Sequence, residues 1–147
     1  LVRNYFAGSL SKKFGVKEGT ELSETLIEYC LKSDDLGDPH ISTEHILNLG
    51  LCDLDNLELI DEYALRINDI LKSLFYSIGI NLIDFKLEFG ITKKNKELIL
   101  ADEISPDTCR LWDLKTNKKL DKDRFRRDLG NVEDAYNEVL ERLKLKI

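Results

Sequence analysis

The chain has 147 residues, is 42% hydrophobic and carries a formal net charge of −6, which suffices for one domain with a buried core but argues against a general nucleic-acid surface. Its three cysteines, Cys30, Cys52 and Cys109, are widely spaced and indicate neither a disulfide framework nor a zinc site. No stretch approaches the roughly 20 apolar residues of a membrane span, so we expect no membrane partner. With the acidic net charge and the pattern of cysteines, we expect a cytoplasmic protein that binds no nucleic acid.

The first half of the chain predicts several short elements and one long helix. A short helix is expected over 9–14, closed by Gly15, and alternating residues over 26–32 indicate a strand. A loop over 34–39 follows, and Ser42 is placed to cap a short helix that ends before Gly50. The long helix begins at Asp53 or Asp55 and ends at Gly79. Its apolar residues recur at steps of three and four and predict a core-facing stripe: Leu57, Ile60, Ala64, Ile67, Leu71, Leu74 and Ile78.

The second half predicts a hairpin over 82–104, an irregular stretch and a last helix capped by Asn131. The residues expected to face inward from that helix are Val132, Tyr136, Val139, Leu140 and Leu143. Helices that flank an antiparallel hairpin favour the α+β class.

The predicted hairpin carries a pattern of charged residues that indicates a binding site. In a strand, Asp84, Lys86 and Glu88 would share one face while three apolar residues occupy the other. If 92–98 turn the chain about Asn95, Glu88 and Asp102 would lie opposite each other and form a divalent-cation site. Together with a nearby arginine, this mixed-charge set indicates binding of phosphate and Mg²⁺. The alternative is an ordinary half-exposed hairpin whose charged face is merely solvated.

Four blocks in order resemble the SAICAR synthetase (phosphoribosylaminoimidazole-succinocarboxamide synthase) family. The run 82–90, Leu-Ile-Asp-Phe-Lys-Leu-Glu-Phe-Gly, is similar to the second signature of that family. The other blocks are Val-Arg-Asn at 2–4 with Ala-Gly-Ser-Leu at 7–10, the run from Asp102 to Asp113, and Leu-Asp-Lys-Asp-Arg-Phe-Arg at 120–126. The resemblance covers essentially the whole chain.

The resemblance implies a role for each of several polar residues. It makes Glu88 and Asp102 ligands of Mg²⁺ at the ATP phosphates, and Lys86 a catalytic group that neutralises acyl or phosphoryl oxygens; a structural salt bridge from Lys86 to Asp84 is the alternative. It also implies that Arg3, Ser9 and Arg110 hold the phosphate and carboxylate of an imidazole nucleotide.

Four weaker assignments complete the set. Lys32 and Asp38 fall in segments that resemble those near the nucleotide, where Lys32 would bind ATP and Asp38 the substrate, although Ser33 stands where the family has asparagine. A turn of acidic residues would look much the same. Lys122 and Arg126 lie four residues apart on a predicted helical turn and are expected to close over substrate anions.

The implied activity is that of an ATP-dependent ligase in purine biosynthesis. Its partners would be ATP, carboxyaminoimidazole ribonucleotide and L-aspartate, with Mg²⁺ as cofactor, and a homo-oligomer is compatible with the sequence. Because the chain begins at Leu1 and contains no methionine, we expect it to be the larger, carboxy-terminal lobe of a two-lobe enzyme whose amino-terminal lobe covers the ATP phosphates. Two alternatives stay open: a non-catalytic nucleotide-binding or assembly module, and a phosphotransferase with another acceptor.

Overall fold

The computed structural model describes residues 1–144. Strands β1 (Val2–Tyr5), β2 (Glu21–Ile27), β5 (Ile80–Phe85) and β8 (Cys109–Asp113) form an antiparallel sheet in the order β2-β1-β5-β8. Two small antiparallel pairs complete the strands: β3 (Tyr29–Cys30) with β4 (His40–Ile41), and β6 (Phe89–Ile91) with β7 (Leu98–Leu100). The helices are α1 (Gly8–Phe14), α2 (Thr43–Asn48), α3 (Leu54–Ser77), α4 (Asp123–Arg126) and α5 (Val132–Lys144), with a 3₁₀ turn at Asp34–Leu36. The predicted α+β class is confirmed. Within residues 1–144, no helix is both long and apolar enough to cross a bilayer.

The main core lies between one face of the sheet and helices α3 and α5. It combines strand residues such as Leu82, Phe85 and Leu111 with Leu71 and Phe75 of α3, because the apolar stripe of an amphipathic helix must be buried against another element. A smaller cluster of Ala7, Ile83 and Trp112 lies apart from this core. The sheet is thus covered by helices mainly on one side, and the polar residues described below occupy the other.

Helix α3 also docks on the sheet through a buried pair of amides. The Nδ2 of Asn4 donates to the Oδ1 of Asn68 at 2.8 Å, and the Nδ2 of Asn68 returns a bond to the Oδ1 of Asn4 at 3.1 Å. Both side chains are almost fully buried. Buried amides must be paired, so this reciprocal bond fixes the rotation of α3 relative to β1.

We expect Asn68→Ala to lower the free energy of unfolding by about 2 kcal/mol, because it leaves the buried Asn4 amide without its main partner. Urea unfolding followed by circular dichroism measures the loss. Asn48→Ala is the matched control, since its side chain donates to the Glu44 carbonyl on an exposed helix and should cost much less. Equal losses in the two variants would contradict the assigned role of the amide pair.

Most of the predicted helices are confirmed, with corrections to their buried faces. Gly15 ends α1 in the left-handed region, Ser42 caps α2, and Asp53 caps α3 by accepting from the Asn56 N–H at 2.8 Å. In α3 the predicted inward Leu74 is instead exposed, and the next residue, Phe75, is buried in its place. In α5 Leu140 is likewise exposed, whereas Ala135 is buried.

Two predicted strands are divided in the structure. The strand expected over 26–32 is divided at Glu28: β2 pairs with β1 up to Ile27, whereas Tyr29 and Cys30 pair with β4 in a separate small sheet. The hairpin expected over 82–104 is also interrupted: β5 ends at Phe85, and the pair β6–β7 is a separate small sheet.

Candidate functional site

A row of three charged residues crosses the sheet from β1 through β5 to β8. Asp84 is in register with Arg3 on one side and with Arg110 on the other. Its carboxylate accepts from the Nη1 of Arg3 at 3.1 Å and from the Nη1 of Arg110 at 2.9 and 3.0 Å. Arg3 and Asp84 are buried. Cross-strand register therefore brings two arginines, far apart in the chain, against one carboxylate.

A β-bulge places this carboxylate on the open face. Leu82 pairs with Leu111 but Asp84 pairs with Arg110, so β5 takes one more residue than β8 across this step. In a regular strand Asp84 would share the core-facing side of Leu82, whereas the extra residue turns it away from the helices. Burial raises the pKa of Asp84, and the two arginines counter this shift by favouring the carboxylate.

A second buried acid, Asp123, extends the row. Its Oδ2 accepts from the Nε of Arg110 at 2.8 Å, and its Oδ1 accepts from the Nη1 of Arg126 at 3.1 Å. Burial lowers the pKa of Arg110, but the carboxylates of Asp84 and Asp123 outweigh it and leave that pKa raised. Asp121 fixes the position of Asp123 relative to β8, because it accepts from the backbone N–H groups of Leu111 and Asp123 at 2.8 and 2.7 Å.

Ser9 joins this group at the start of α1. The Nη2 of Arg3 donates to its hydroxyl at 3.4 Å. We call Arg3, Ser9, Arg110 and Arg126, with the acids Asp84 and Asp123, the arginine cluster. The structure therefore brings together the three residues predicted to hold the imidazole nucleotide, and adds two carboxylates that orient the arginines.

Gly8 permits the close approach of α1 to this cluster. It has φ +55°, and a Cβ there would lie 2.4 Å from the Nη2 of Arg110. Any larger residue must both adopt a left-handed backbone and displace the guanidinium.

If the arginine cluster holds an anionic substrate, Gly8→Ala should raise the KM for that substrate by about tenfold, because displacing a binding group by about 1 Å weakens its contact with the substrate. Steady-state kinetics measure the effect. Gly50→Ala is the matched control: Gly50 has a similar φ of +64° but nothing within 4 Å of its Cβ position. It should show the backbone strain as lost stability, with KM unchanged. An equal KM in both variants would argue against a crowded binding site at Gly8.

A second group of charges lies just beyond the end of β5. The Nζ of Lys86 is 2.5 Å from one carboxylate oxygen of Glu88, and Lys32 bonds the other oxygen. The hydrogen bonds from Lys32 and Lys86 hold the pKa of Glu88 below its usual value. Glu88 in turn raises the pKa of Lys86, to which Asp102 and Asp38 add smaller contributions. We call Lys32, Asp38, Lys86, Glu88 and Asp102 the lysine–acid cluster.

The remaining members of this cluster are held by local backbone bonds. The Oδ1 of Asp38 accepts from the Ser33 N–H at 2.8 Å, with Asp38 itself in the left-handed region at φ +48°. The Oδ1 of Asp102 accepts from the Glu103 N–H at 3.0 Å. Hydrogen bonding to Glu103 is the largest cause of the lowered pKa of Asp102, and the charges of Lys86 and Lys32 add to it.

Three sequence-based expectations need correction here. Glu88 does not lie opposite Asp102, because the register Phe89 to Leu100 places Ala101 across from Glu88, and the Ala101 N–H donates to the Glu88 carbonyl at 2.8 Å. Asp84 does not share an exposed face with Lys86 and Glu88, since it is buried between arginines. The alternative salt bridge from Lys86 to Asp84 is also wrong, because Lys86 pairs with Glu88.

The two residues predicted to close over substrate are less tightly placed. Lys122 precedes α4 and its Nζ is 3.6 Å from Asp107, while Arg126 turns back to Asp123. Arg126 therefore belongs to the arginine cluster, whereas Lys122 lies at its edge on an exposed ion pair. Such an exposed pair holds a side chain weakly.

Glu28 lies beside the arginine cluster and was not singled out from the sequence. Its carboxylate bonds the Nε of Arg3 and is 3.8 Å from the Nδ1 of His40. It also borders a groove of about 530 Å³ whose walls include Tyr29, His40, His45 and Asp61. None of the predicted site residues lines this groove.

The clusters adjoin each other, since Asp84 and Lys86 are two residues apart where β5 ends. An antiparallel sheet that carries fixed arginines on the face away from its main helices, next to a lysine–carboxylate group, is typical of enzymes that handle polyanionic substrates. The model of the SAICAR synthetase family matches residues 1–143. The chain belongs to the SAICAR synthetase family.

Curated relatives and solved structures agree with this assignment. The phosphoribosylaminoimidazole-succinocarboxamide synthase of Rhodospirillum centenum is 57% identical over 145 residues, covering 97% of this chain and 57% of that protein. The corresponding Fusobacterium nucleatum protein is 56% identical over 146 residues, covering 99% of this chain and 61% of that protein. The chain thus spans about three fifths of the length of these relatives.

Among solved structures, the synthase of Ehrlichia chaffeensis superposes with a TM-score of 0.94 at 50% identity, covering 97% of this chain and 61% of that one. A SAICAR synthetase in complex with ADP gives a TM-score of 0.91 at 51% identity, covering 97% and 60%. The enzyme of Saccharomyces cerevisiae, complexed with SAICAR, gives 0.75 at 25% identity, covering 97% and 57%.

Proposed function

We propose that this chain is the carboxy-terminal lobe of an ATP-dependent ligase that joins L-aspartate to carboxyaminoimidazole ribonucleotide. In the proposed reaction a carboxylate oxygen of the ribonucleotide attacks the γ-phosphorus of ATP and ADP leaves. The amine of aspartate then attacks the acyl carbon of the resulting acyl phosphate, phosphate leaves, and SAICAR is formed. The observation that carries the proposal is the junction of the arginine cluster with the lysine–acid cluster at the end of β5.

This junction suits phosphoryl transfer between two polyanions. Such a reaction needs little covalent chemistry from the protein and depends on positioning and on neutralising charge. In our proposal Arg3, Ser9 and Arg110 hold the phosphate and carboxylate of the ribonucleotide, because guanidinium forks match these anions. Arg126 and Lys122 would complete the cover of the substrate from the side of α4.

The lysine–acid cluster would then receive the triphosphate of ATP. In our proposal Lys86 neutralises the oxygens of the transferred group, and Lys32, whose side chain is 76% exposed, contacts the phosphates. Asp38 would contact the substrate from the loop that follows the 3₁₀ turn Asp34–Leu36.

The two carboxylates of Glu88 and Asp102 are of the chemical type that binds Mg²⁺, although they do not lie opposite each other in the β6–β7 pairing. Within residues 1–144 no group of three or more histidine, cysteine, aspartate or glutamate side chains is arranged to hold a metal ion by itself. Mg²⁺ needs only one or two protein carboxylates when phosphate and water supply the other oxygens, so Glu88 and Asp102 would hold it. When bound with ATP, the ion would offset the negative charge of the phosphate oxygens.

We further propose that a separate amino-terminal lobe covers the ATP phosphates. The relatives extend beyond the part of their length that this chain matches, and the resemblance places a glycine-containing phosphate turn in that lobe. The cytoplasmic location and a homo-oligomer remain predictions.

Aspartate-dependent release of ADP tests the proposed function. We expect the complete polypeptide that carries this chain to release ADP only when ATP, Mg²⁺, the ribonucleotide and aspartate are all present, and to incorporate aspartate into the product. The 147-residue chain alone should bind nucleotide weakly and should not turn over, because positioning of the phosphates needs both lobes.

The alternatives give different results in the same assay. ADP release that is independent of aspartate would favour a phosphotransferase with another acceptor. Full activity from the 147 residues alone would contradict the proposed division of the phosphate-binding groups between two lobes.

A further inference from the structure

Glu18 lies in the turn between α1 and β2 and connects three segments that surround the arginine cluster. One carboxylate oxygen accepts from the Gly8 N–H at 3.3 Å, at the start of α1 and next to Ser9. The other accepts from Lys119 at 3.2 Å and from the Nη1 of Arg127 at 2.9 Å, and a further bond from Arg127 makes this pair bidentate. Glu18 thus links the beginning of α1 to the segment that follows α4.

The partner Arg127 leads directly into the arginine cluster. Its Nη2 lies 3.4 Å from the Oδ2 of Asp123, the same oxygen that accepts from the Nε of Arg110 at 2.8 Å. A continuous chain of charge-assisted bonds therefore runs from Gly8 through Glu18, Arg127 and Asp123 to Arg110. Asp123 also accepts from Arg126 at 3.1 Å, so this series of bonds includes a second residue predicted to bind the substrate.

Both carboxylate oxygens of Glu18 accept hydrogen bonds from protein groups, and the side chain is 30% exposed. The hydrogen bond from Arg127 is the largest cause that lowers its pKa, to about 2, and bonds from Lys119 and Gly8 contribute, so Glu18 stays ionised near neutral pH. A group in this state has little capacity left to contact a substrate directly. Its effect must act through the residues that it fixes.

We infer that Glu18 is a positioning residue for the imidazole ribonucleotide: it sets the distance between Ser9 at the start of α1 and the Arg110–Asp123–Arg126 group, and so fixes the width of the anion-binding site. This inference rests on the proposed function. Preorganised binding groups need support from neighbours that hold their rotamers, and small displacements there cost affinity.

Glu18→Gln tests the inference, because it keeps the shape of the side chain and removes the charge that pairs with Arg127. We expect the KM for the ribonucleotide to rise about tenfold, with kcat and the KM for ATP changed by less than about twofold. Glu138→Gln is the matched control. Glu138 is also 30% exposed and pairs with Lys118 and Arg142, but away from both clusters.

The control separates positioning from simple stabilisation. Both variants should lose a similar, small amount of thermal stability, and only Glu18→Gln should change the KM. A double-mutant cycle with Arg127→Gln should be non-additive in KM, because both substitutions break the same link. An unchanged KM in Glu18→Gln, or an equal change in Glu138→Gln, would overturn the inference.

A binding measurement keeps this result independent of turnover. Calorimetry with 5-aminoimidazole-4-carboxamide ribonucleotide, in which an amide replaces the carboxylate, measures a Kd that depends on how well the site binds the ribonucleotide phosphate. A tenfold weaker Kd in Glu18→Gln supports the inference even if the wild-type polypeptide fails to release ADP, in which case the proposed function alone is wrong. An active wild type with equal Kd values in both proteins would instead refute the inference and leave the proposed function intact.

Discussion

Glu88→Gln, made in the complete polypeptide, should reduce Mg²⁺-dependent turnover by about a hundredfold or more, because it removes a charge proposed to hold the metal while keeping the shape of the side chain. The free energy of unfolding should change by no more than about 1 kcal/mol, since the pairs from Glu88 to Lys32 and Lys86 lie at the surface and involve exposed lysines. Asp102→Asn should show the same loss of turnover. Rates measured across a series of Mg²⁺ concentrations give the result.

Glu97→Gln provides the control for this experiment. Glu97 lies in the turn between β6 and β7 and is exposed, outside the lysine–acid cluster. The substitution Glu97→Gln removes one charge from the same hairpin and should leave the rate of turnover unchanged. Undiminished activity of Glu88→Gln and Asp102→Asn at ordinary Mg²⁺ would refute the metal site.

Arg110→Lys should affect both stability and binding. Lysine keeps the positive charge, but its single ammonium group replaces a fork that bonds Asp84 and Asp123 at once. One buried carboxylate would lose one of its arginine partners while keeping another, and we expect the free energy of unfolding to fall by about 2 kcal/mol. The KM for the ribonucleotide should rise at least tenfold while the KM for ATP changes little.

Arg142→Lys is the matched control for Arg110. Arg142 also bridges two acids, Asp113 at 2.7 Å and Glu138, but it lies on α5 away from both clusters. It should lose stability without a change in either KM. If Arg110→Lys raised the KM for the ribonucleotide and the KM for ATP equally, Arg110 would have a general electrostatic role. That result would contradict specific binding of the ribonucleotide by Arg110.

The sequence was most informative where local periodicity dominates. The stripe of α3, its cap at Asp53 and the ends of α1 and α2 follow from helical spacing and capping chemistry, which act within a few residues. The family resemblance likewise rested on contiguous blocks, and the residues within them do gather at the end of β5. The failures inside these helices are small: Phe75 replaces Leu74 because the exact rotation of α3 depends on what it packs against, including the amide pair of Asn4 and Asn68.

The register of the hairpin marks the limit of such reasoning. An even separation of Glu88 and Asp102 predicts opposition only if the turn is centred on Asn95, and the observed turn shifts the pairing by one residue. A shift of this size reverses which side chains share a face. Turn geometry, not the alternation of charges, decided this point.

The sequence by itself determined the α+β class, the long helix and the family, because periodicity, caps and contiguous motifs are local properties of the chain. Only the tertiary structure decided that Asp84 is a buried anchor between Arg3 and Arg110. That outcome depends on a bulge in β5 and on pairing of residues 81 positions apart. The link from Glu18 to Arg127 spans 109 positions. Such contacts carry no local signal, since they arise from packing distant segments together, and they decide how the arginines of the site are held.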